Sequence, residues 1–322
     1  MRVKNKRGKW VIGAVPNCPF ARIKKHWLLY LLLLPSFVML IIFAYAPMFG
    51  LVIAFKDYTI LDGFIDSEWV GLKHFLYIFK GTDPAIFQVF RNTVYIALIK
   101  LVTNFPLIII FALMINEIRS NKVKTVVRTI SYLPNFISWI AVGGIMFALL
   151  SVDGGAINKI LVYFKGEDAA INWYASPQYW WGITALTSLW KGLGWSTVIY
   201  MSALGCIDSE LYDACKIDGG GRMRMIFTVT LPGIMNVVMM QLILDCGNLV
   251  RDNYEMILAI TKGSPVLSDT MFVVGGMAFT AISTGKDLSM TTAFGLVQGL
   301  IGLIFVLVSN SIAKKSDHEG II

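Results

Sequence analysis

Among the charged residues inside long apolar stretches of the sequence are Lys100, Lys191 and Asp245. A charge at the centre of a bilayer costs about 2.5 to 3.5 kcal/mol, so a lipid-facing position is unfavourable for all three. They are expected to face the interior of a helix bundle or a water-filled cavity. There Lys191 and Asp245 could form an ion pair, or either could hydrogen-bond a polar substrate; we favour the ion pair.

Aromatic and amide side chains near these charges could complete a binding site for a polar substrate. Trp190 and Trp195 flank Lys191, and aromatic rings suit the apolar faces of sugars. An aromatic belt at the membrane surface better explains three other tryptophans, Trp173, Trp180 and Trp181. The candidate residues of a substrate path are therefore Trp190, Lys191, Trp195, Gln241, Asp245, Asn248 and Tyr254.

Groups that could support catalysis are scarce. The three histidines, His26, His74 and His318, lie apart from any Cys, Asp or Glu cluster, so a catalytic metal site is not expected. The four cysteines form no CxxC pair, so they predict neither a disulfide framework nor a zinc site. They are Cys18, Cys206, Cys215 and Cys246. No G-x4-G-K-[ST] nucleotide loop occurs, and 219-GGGRMR-224 has neither its spacing nor its lysine.

Composition indicates an integral membrane protein. The 322 residues are 56% hydrophobic and only 15% charged, with a mean hydropathy of +0.67. The net charge of +8 does not indicate nucleic-acid binding, because the basic residues fall at the ends of apolar stretches. Since a helix needs about 20 apolar residues to cross a bilayer, six segments qualify: 27–55, 88–115, 126–150, 178–204, 226–250 and 290–312.

Lysine and arginine are distributed unequally between the two sides that these segments would create. Of the 28 basic residues, 17 lie on one side and 8 on the other, with three inside the segments. The larger group lies in 1–26, in the connections 116–128 and 205–225, and at the C-terminus. Because cytoplasmic connections are enriched in Lys and Arg, both termini are predicted to be cytoplasmic.

The connection between the fourth and fifth segments contains a short charged stretch, 211-LYDACKIDGGGRMRMIFTVTLPGI-234. Asp208 or Ser209 can cap a helix there, and Glu210 and Asp213 favour its positive N-terminal end. Gly219 begins a run of three glycines that can stop the helix with left-handed backbone angles. The stretch therefore predicts a short cytoplasmic helix outside the bilayer.

One face of this predicted helix is mostly apolar. Leu211, Ala214, Cys215 and Asp218 recur at i, i+3, i+4 and i+7. Such a stripe could enter a groove on a partner protein, or it could rest on the membrane face of its own chain. Pro232 is expected in the first turn of the fifth membrane helix, where a missing N–H costs little.

The stretch resembles the cytoplasmic signature of binding-protein-dependent ABC import permeases, E-A-A-x3-G-x9-I-x-L-P. Here Asp213-Ala214-Cys215 is followed after three residues by Gly219, and after nine more by 229-VTLP-232. All the spacings are kept, and Asp for Glu, Cys for Ala and Val for Ile are conservative departures. In that family the short helix is the coupling helix, which sits in a cleft of the ATPase subunit.

The resemblance covers about residues 25 to 315. The segments 67-SEWVGLKHF-75, 131-SYLPNFISW-139 and 190-WKGLGWSTVIYMSALGCIDSELYDA-214 are similar to the carbohydrate branch of the maltose-permease-like superfamily, and within it to permeases for complex oligosaccharides. The resemblance implies an all-α polytopic membrane protein with six transmembrane helices, the type I ABC importer permease fold, and a coupling helix between helices 4 and 5.

The resemblance also implies a division of the chain and a set of coupling residues. A basic cytoplasmic tail, 1–26, precedes a transmembrane permease domain, 27–312, which contains the coupling segment 208–232, and a cytoplasmic tail follows at 313–322. The residues expected to couple the permease to the ATPase are Ser209, Leu211, Tyr212, Asp213, Ala214, Cys215, Lys216, Gly219, Leu231 and Pro232.

The implied partners follow from the family. They are an ABC ATPase dimer at the cytoplasmic face, a second permease subunit that in this branch is usually a different chain, an extracytoplasmic solute-binding protein, an oligosaccharide and membrane lipid, without nucleic acid. ATP and Mg are expected on the ATPase, and no cofactor on this chain. The implied location is the bacterial cytoplasmic membrane.

Two other classes of function remain for comparison. An ion-coupled secondary carrier for a polar solute would use the same intramembrane charges and would need no ATPase. An integral-membrane enzyme would need a nucleophile–base pair or a metal site at membrane depth, and the sequence has no such constellation.

Overall fold

The computed structural model describes residues 2–4, 10–12, 26–80, 84–251 and 253–315. Most of the two predicted tails, together with Cys18 and His318, lies outside these residues. Contacts divide the chain into two units, Met1–Val52 and Ile53–Ile322. The division falls within the first predicted membrane segment, and the predicted domain limits stay a prediction.

The first unit contains a short hairpin and the first apolar helix. Strands β1 (Arg2–Lys4) and β2 (Trp10–Ile12) pair antiparallel. Helix α1 (Trp27–Leu40) continues through a π-helical turn (Ile41–Tyr45) into a 3-10 segment (Ala46–Phe55). Every residue of α1 is exposed within the chain. A helix that is apolar on all sides in this way suits lipid or another protein as its surroundings.

The second unit is built of helices with one small hairpin. Strands β3 (Lys56–Asp57) and β4 (Glu68–Trp69) pair antiparallel. The helices are α2 (Gly63–Asp66), α3 (Lys73–Lys80), α4 (Pro84–Asn116), α5 (Asn121–Tyr132), α6 (Trp139–Leu150), α7 (Ala156–Lys165), α8 (Trp180–Leu204), α9 (Ser209–Ile217), α10 (Arg222–Met225), α11 (Leu231–Gly247), α12 (Tyr254–Thr261), α13 (Ser268–Met271), α14 (Val274–Thr284) and α15 (Leu288–Lys315). Short 3-10 helices lie at Leu133–Phe136, Glu167–Ala169, Trp173–Ala175, Pro177–Tyr179 and Pro265–Leu267, and a π-helical turn, Ile226–Thr230, joins α10 to α11.

Four helical runs of the described chain are long and apolar enough to cross a membrane: Trp27–Phe55, Pro84–Asn116, Arg222–Gly247 and Leu288–Lys315. They match the first, second, fifth and sixth predicted segments. Helix α8 matches the fourth and has 25 residues, a length of about 37 Å at 1.5 Å per residue. Because α8 contains many polar residues, its mean hydropathy is lower than that of the other four helical runs.

The third predicted segment, 126–150, is not one straight helix. It is a pair, Asn121–Phe136 and Trp139–Leu150, bent by 100°. Pro134 lies in the 3-10 turn that ends the first part, and Ser138 caps the second, because its side chain accepts a hydrogen bond from the Ala141 N–H at 3.2 Å. A proline and a new helix cap in succession favour a break. Counted as one span, the bent pair raises the number of apolar spans to five.

Helix α8 is the centre of the packing. It contacts α4, α5 and α11. Where α8 crosses the end of α5, the two backbones approach so closely that a Cβ on Gly194 would collide with the carbonyl group of Ser131. Only glycine fits at this crossing.

The predicted external connection 251–289 is a folded part of the bundle. Helices α12, α13 and α14 occupy it, and α12 packs against α6. The largest described cluster of buried side chains draws mainly on this region: Ile96, Val142, Trp180, Met256, Ile257, Ile260, Leu267, Met271 and Val273. Trp180 is fully buried and its Nε1 donates to the Trp173 carbonyl at 2.7 Å, so the predicted place of Trp180 in a surface belt is wrong.

Candidate functional site

The charged stretch between the fourth and fifth predicted segments forms the predicted short helix, α9. The Asp208 carboxylate caps it by accepting a hydrogen bond from the Glu210 N–H at 3.0 Å. Of the two predicted caps, Asp208 is therefore the one used, and Ser209 is the first helical residue. Glu210 lies in the first turn, where a negative charge favours the helix dipole.

Two glycines end α9. Gly219 has a φ of +74°, as predicted. The Gly219 N–H donates to the Lys216 carbonyl at 3.0 Å and the Gly220 N–H to the Cys215 carbonyl at 2.8 Å, which is the Schellman arrangement. A Cβ on Gly219 would have nothing within 4 Å, whereas one on Gly220 would lie 2.7 Å from the Cys215 oxygen. Gly219 is therefore required for its backbone angle and Gly220 for space, a need that the sequence prediction missed.

Asp213 was predicted near the start of the helix, and this prediction is wrong. It is in the middle of the nine-residue α9, and its carboxylate accepts a hydrogen bond from Lys216 Nζ at 2.8 Å. Both side chains are more than half exposed, at 68% and 58%. An exposed pair of this kind contributes little to stability, so both charges stay accessible to a partner protein.

The outward face of α9 differs from the predicted stripe. Cys215 is half-buried, and its sulfur lies 3.8 Å from Thr228 Oγ1, so it faces its own chain. Leu211 and Ala214 remain exposed, and the apolar face is extended by Ile217, which is 87% exposed. A helix that shows such side chains to water has an apolar surface available for a partner.

A hydrogen bond links α9 to the next long helix. The Tyr212 hydroxyl lies 3.2 Å from Thr230 Oγ1, and Thr230 is buried. Thr230 belongs to the π-helical turn, which places Leu231 and Pro232 within the continuous run Arg222–Gly247. Pro232 is at the start of α11, as predicted, although the helical run begins ten residues earlier. Neither Thr228 nor Thr230 was predicted as a site residue.

A cavity of about 570 Å³ opens between α4, α8 and α11. It is lined by Ala97, Lys100, Leu101, Asn104, Phe105, Ile108, Trp195, Ser196, Val198, Ile199, Tyr200, Gln241, Asp245, Asn248, Leu249 and Arg251. The structure thus brings together four of the predicted substrate-path residues, Trp195, Gln241, Asp245 and Asn248. Trp190, Lys191 and Tyr254 are not part of this lining.

Polar groups in the cavity hold one another in place. Gln241 Nε2 donates to the Asp245 carboxylate at 3.1 Å, and the Lys100 ammonium interacts electrostatically with the same carboxylate. Lys100 and Asp245 are both half-buried. The sequence analysis did not predict that Arg251 lines this cavity. Arg251 directly follows the fifth apolar segment and was therefore counted with the external residues.

Lys191 has another environment. It is only 8% exposed, and its ammonium donates to the Asn135 carbonyl at 2.8 Å and to the Pro134 carbonyl at 3.5 Å. The same ammonium lies 5.0 Å from the centre of the Trp139 ring. The predicted Lys191–Asp245 ion pair is therefore not formed. The reason is the break between α5 and α6, which exposes carbonyl groups that a straight helix would have satisfied.

Sequence comparison relates the chain to known transport proteins. A family model described as "Binding-protein-dependent transport system inner membrane component" matches residues 104–318. The polygalacturonan/rhamnogalacturonan transport system permease protein YteP of Bacillus subtilis is 38% identical over 293 residues, which are 91% of this chain and 89% of YteP. Protein LplB of the same organism is 36% identical over 305 residues, which are 94% of this chain and 93% of LplB.

Two solved structures share the fold. One is of a bacterial ABC transporter involved in the import of the acidic polysaccharide alginate, with a TM-score of 0.82, 29% identity, and coverage of 92% of this chain and 98% of that one. The other is of a bacterial alginate ABC transporter in complex with an alginate pentasaccharide-bound periplasmic protein. Its TM-score is 0.84 at 29% identity, and the match covers 94% of this chain and 99% of that one.

Proposed function

The chain belongs to the family of binding-protein-dependent transport system inner membrane components, and on this premise we propose that it carries an oligosaccharide across the cytoplasmic membrane. As a member of this family it is a permease component of an ABC importer, a transport subunit without catalysis of its own. The relatives named for glycan transport span nearly the whole chain, and this supports a sugar of several units as the substrate.

The observation on which the proposal rests is the connection between α9 and the cavity. Helix α8 leads into α9, and α9 leads through the π-helical turn into α11. The cavity lies between α4, α8 and α11. A force applied to the exposed face of α9 therefore reaches two of the three cavity walls through the short connections 205–208 and 218–221. The Tyr212–Thr230 hydrogen bond also joins α9 side by side to the helical run that contains α11.

In the proposed topology α8 and the bent pair α5–α6 each count as one span, which makes six with both termini cytoplasmic. The 17 to 8 distribution of basic residues supports this orientation. In a variant without native cysteines, a cysteine at Lys286 should react with an impermeant thiol reagent outside intact cells, and one at Lys122 should not. Labelling at Lys122 would contradict the topology.

The proposed partners are those that such an importer requires. An ABC ATPase dimer, with its ATP and Mg, receives α9; a second permease subunit completes the passage; and an extracytoplasmic binding protein delivers the oligosaccharide. Closure of the ATPase dimer on ATP would move α9, and α8 and α11 would transmit this movement as a change from inward to outward opening.

The test is ATP hydrolysis and uptake by the reconstituted complex. We expect hydrolysis to rise when the binding protein and its sugar are added, and Leu211→Glu to abolish that rise, because a charge would enter the ATPase contact. Ile160→Glu is the matched control, since Ile160 on α7 is 58% exposed against 54% for Leu211. Uptake driven by an ion gradient without the ATPase would contradict the proposal and favour a secondary carrier.

A further inference from the structure

The cavity between α4, α8 and α11 contains more positive than negative charge. Lys100 and Arg251 line it, and Asp245 is the acidic residue among its lining side chains. Lys100 is the middle residue of the 33-residue helix α4, so its Cα lies about 24 Å along the helix axis from either end. A charge at that depth is costly unless an anion or water faces it.

The single carboxylate of Asp245 can neutralise only one of the two positive charges, those of Lys100 and Arg251. Its carboxylate interacts with the Lys100 ammonium and accepts a hydrogen bond from Gln241. The Arg251 side chain is exposed, and the ion pairs of the described residues, Lys73–Asp57 and Lys216–Asp213, do not include it. Asp252 follows in the sequence and lies outside the described residues. The described wall of the cavity therefore keeps one positive charge that its own acidic residue does not neutralise.

The other groups of the cavity suit a sugar ring that carries an anion. Trp195 is 57% exposed and can offer its ring to the apolar face of a sugar. The Asn248 side-chain nitrogen donates to the Leu244 carbonyl at 3.0 Å, which leaves its amide oxygen to accept from a sugar hydroxyl. A guanidinium group binds a carboxylate through two parallel hydrogen bonds, and it does so more strongly in a cavity than in bulk water.

We propose that this cavity selects oligosaccharides of uronic acids, with Arg251 and Lys100 as the residues that recognise the sugar carboxylates. The inference rests on the proposed transport of an oligosaccharide and adds the chemical class of that substrate. The acidic polysaccharides named for YteP and for the alginate transporter agree with it.

The experiment measures equilibrium binding to the purified, ATP-free complex in nanodiscs, without the external binding protein. Two acidic probes, trigalacturonate and trimannuronate, are each compared with their fully methyl-esterified forms, which keep the sugar chain and lose the charge. We expect at least one acid to bind about tenfold more tightly than its ester, the size expected for a charge-assisted hydrogen bond.

Variants then assign that preference to residues. Arg251→Gln and Lys100→Gln should each reduce this preference about threefold, because the two residues share it, while binding of the esters changes less than twofold. Lys100→Arg keeps the positive charge and should therefore keep the parent protein's preference for the acid over the ester. Lys286→Gln is the control, because Lys286 is exposed and is not part of the cavity lining, and it should leave all four affinities unchanged.

Several results would overturn the inference. Equal affinity for acid and ester in the parent protein, or an equal loss for both in Arg251→Gln, would mean that the cavity does not recognise carboxylates. If neither acid binds while neutral maltotriose binds and is taken up with ATP, the inference fails and the proposed function stands. If no oligosaccharide is taken up at all, the proposed function fails with it.

Discussion

Lys191 and Lys100 both lie in segments that the sequence predicts to cross the membrane, yet their surroundings are opposite. Lys191 is buried at the break between α5 and α6, where two carbonyl groups and the face of Trp139 surround its ammonium. Lys100 is half-buried and lines an open cavity. The same kind of side chain therefore satisfies free backbone carbonyl groups in one region and lines a cavity in the other. A charge in an apolar segment thus marks a special position without indicating whether its role is structural or functional.

The largest expected effect is on stability at the helix break. Lys191→Met should lower the free energy of unfolding by about 3 kcal/mol, because it removes charge-assisted hydrogen bonds and leaves the Asn135 carbonyl unsatisfied in a buried site. Thermal unfolding of the purified complex measures this loss. Lys100→Met is the matched control and should cost about 1 kcal/mol, because water can replace a half-buried ammonium.

A reversed order of these two costs would contradict the comparison. So would a Lys191→Met protein of unchanged stability that fails to bind sugar, because Lys191 would then belong to the substrate path, the alternative that the sequence analysis left open. Lys191→Arg separates charge from shape, since the larger guanidinium keeps the charge but not the fit beneath Trp139.

A smaller effect is expected at the end of α9, where the constraint comes from the backbone and not from a charge. Gly219→Val should cost about 1 to 2 kcal/mol, because a β-branched residue resists the φ of +74° there. The Cβ itself meets no atom within 4 Å, so the membrane bundle should remain assembled. We expect the binding protein still to dock, while substrate-stimulated ATP hydrolysis falls sharply.

Gly219→Asn is the informative control for this position, because asparagine tolerates left-handed angles better than valine. It should recover most of the lost hydrolysis. Normal coupling in Gly219→Val would contradict a mechanical role for α9 and leave it as a connector on the membrane surface.

The smallest effect is expected for a charge that water already surrounds. Asp213→Asn removes the pair with Lys216, whose exposed side chains should contribute less than about 0.5 kcal/mol to folding. Any larger consequence must therefore come from a contact with another protein. The salt dependence of ATPase binding to the parent and to Asp213→Asn complexes tests this, and identical slopes would show that Asp213 meets no cation on the ATPase.

The local features of the chain could be predicted from sequence. Four apolar segments agree with helical runs of the structure to within a few residues, and the Asp208 cap and the left-handed Gly219 were expected where they occur. The family resemblance is confirmed by the match over residues 104–318. These features depend on neighbours within a few positions or on a fixed spacing, so one sequence contains the information.

The tertiary structure alone decided which polar residues meet. Lys191 bonds a carbonyl 56 positions away, and Asn92 donates to the Phe272 carbonyl 180 positions away. Helix crossings and the break after Pro134 determine which groups form such hydrogen bonds. The hydropathy of the sequence indicates neither the crossings nor the break. For the same reason the sequence did not predict that residues 254–284 form helices packed into the bundle, or that Arg251 lines the cavity. The sequence shows that these charges lie within or beside apolar segments, because hydropathy depends only on residue type. Which of them face the cavity depends on how the helices pack against one another.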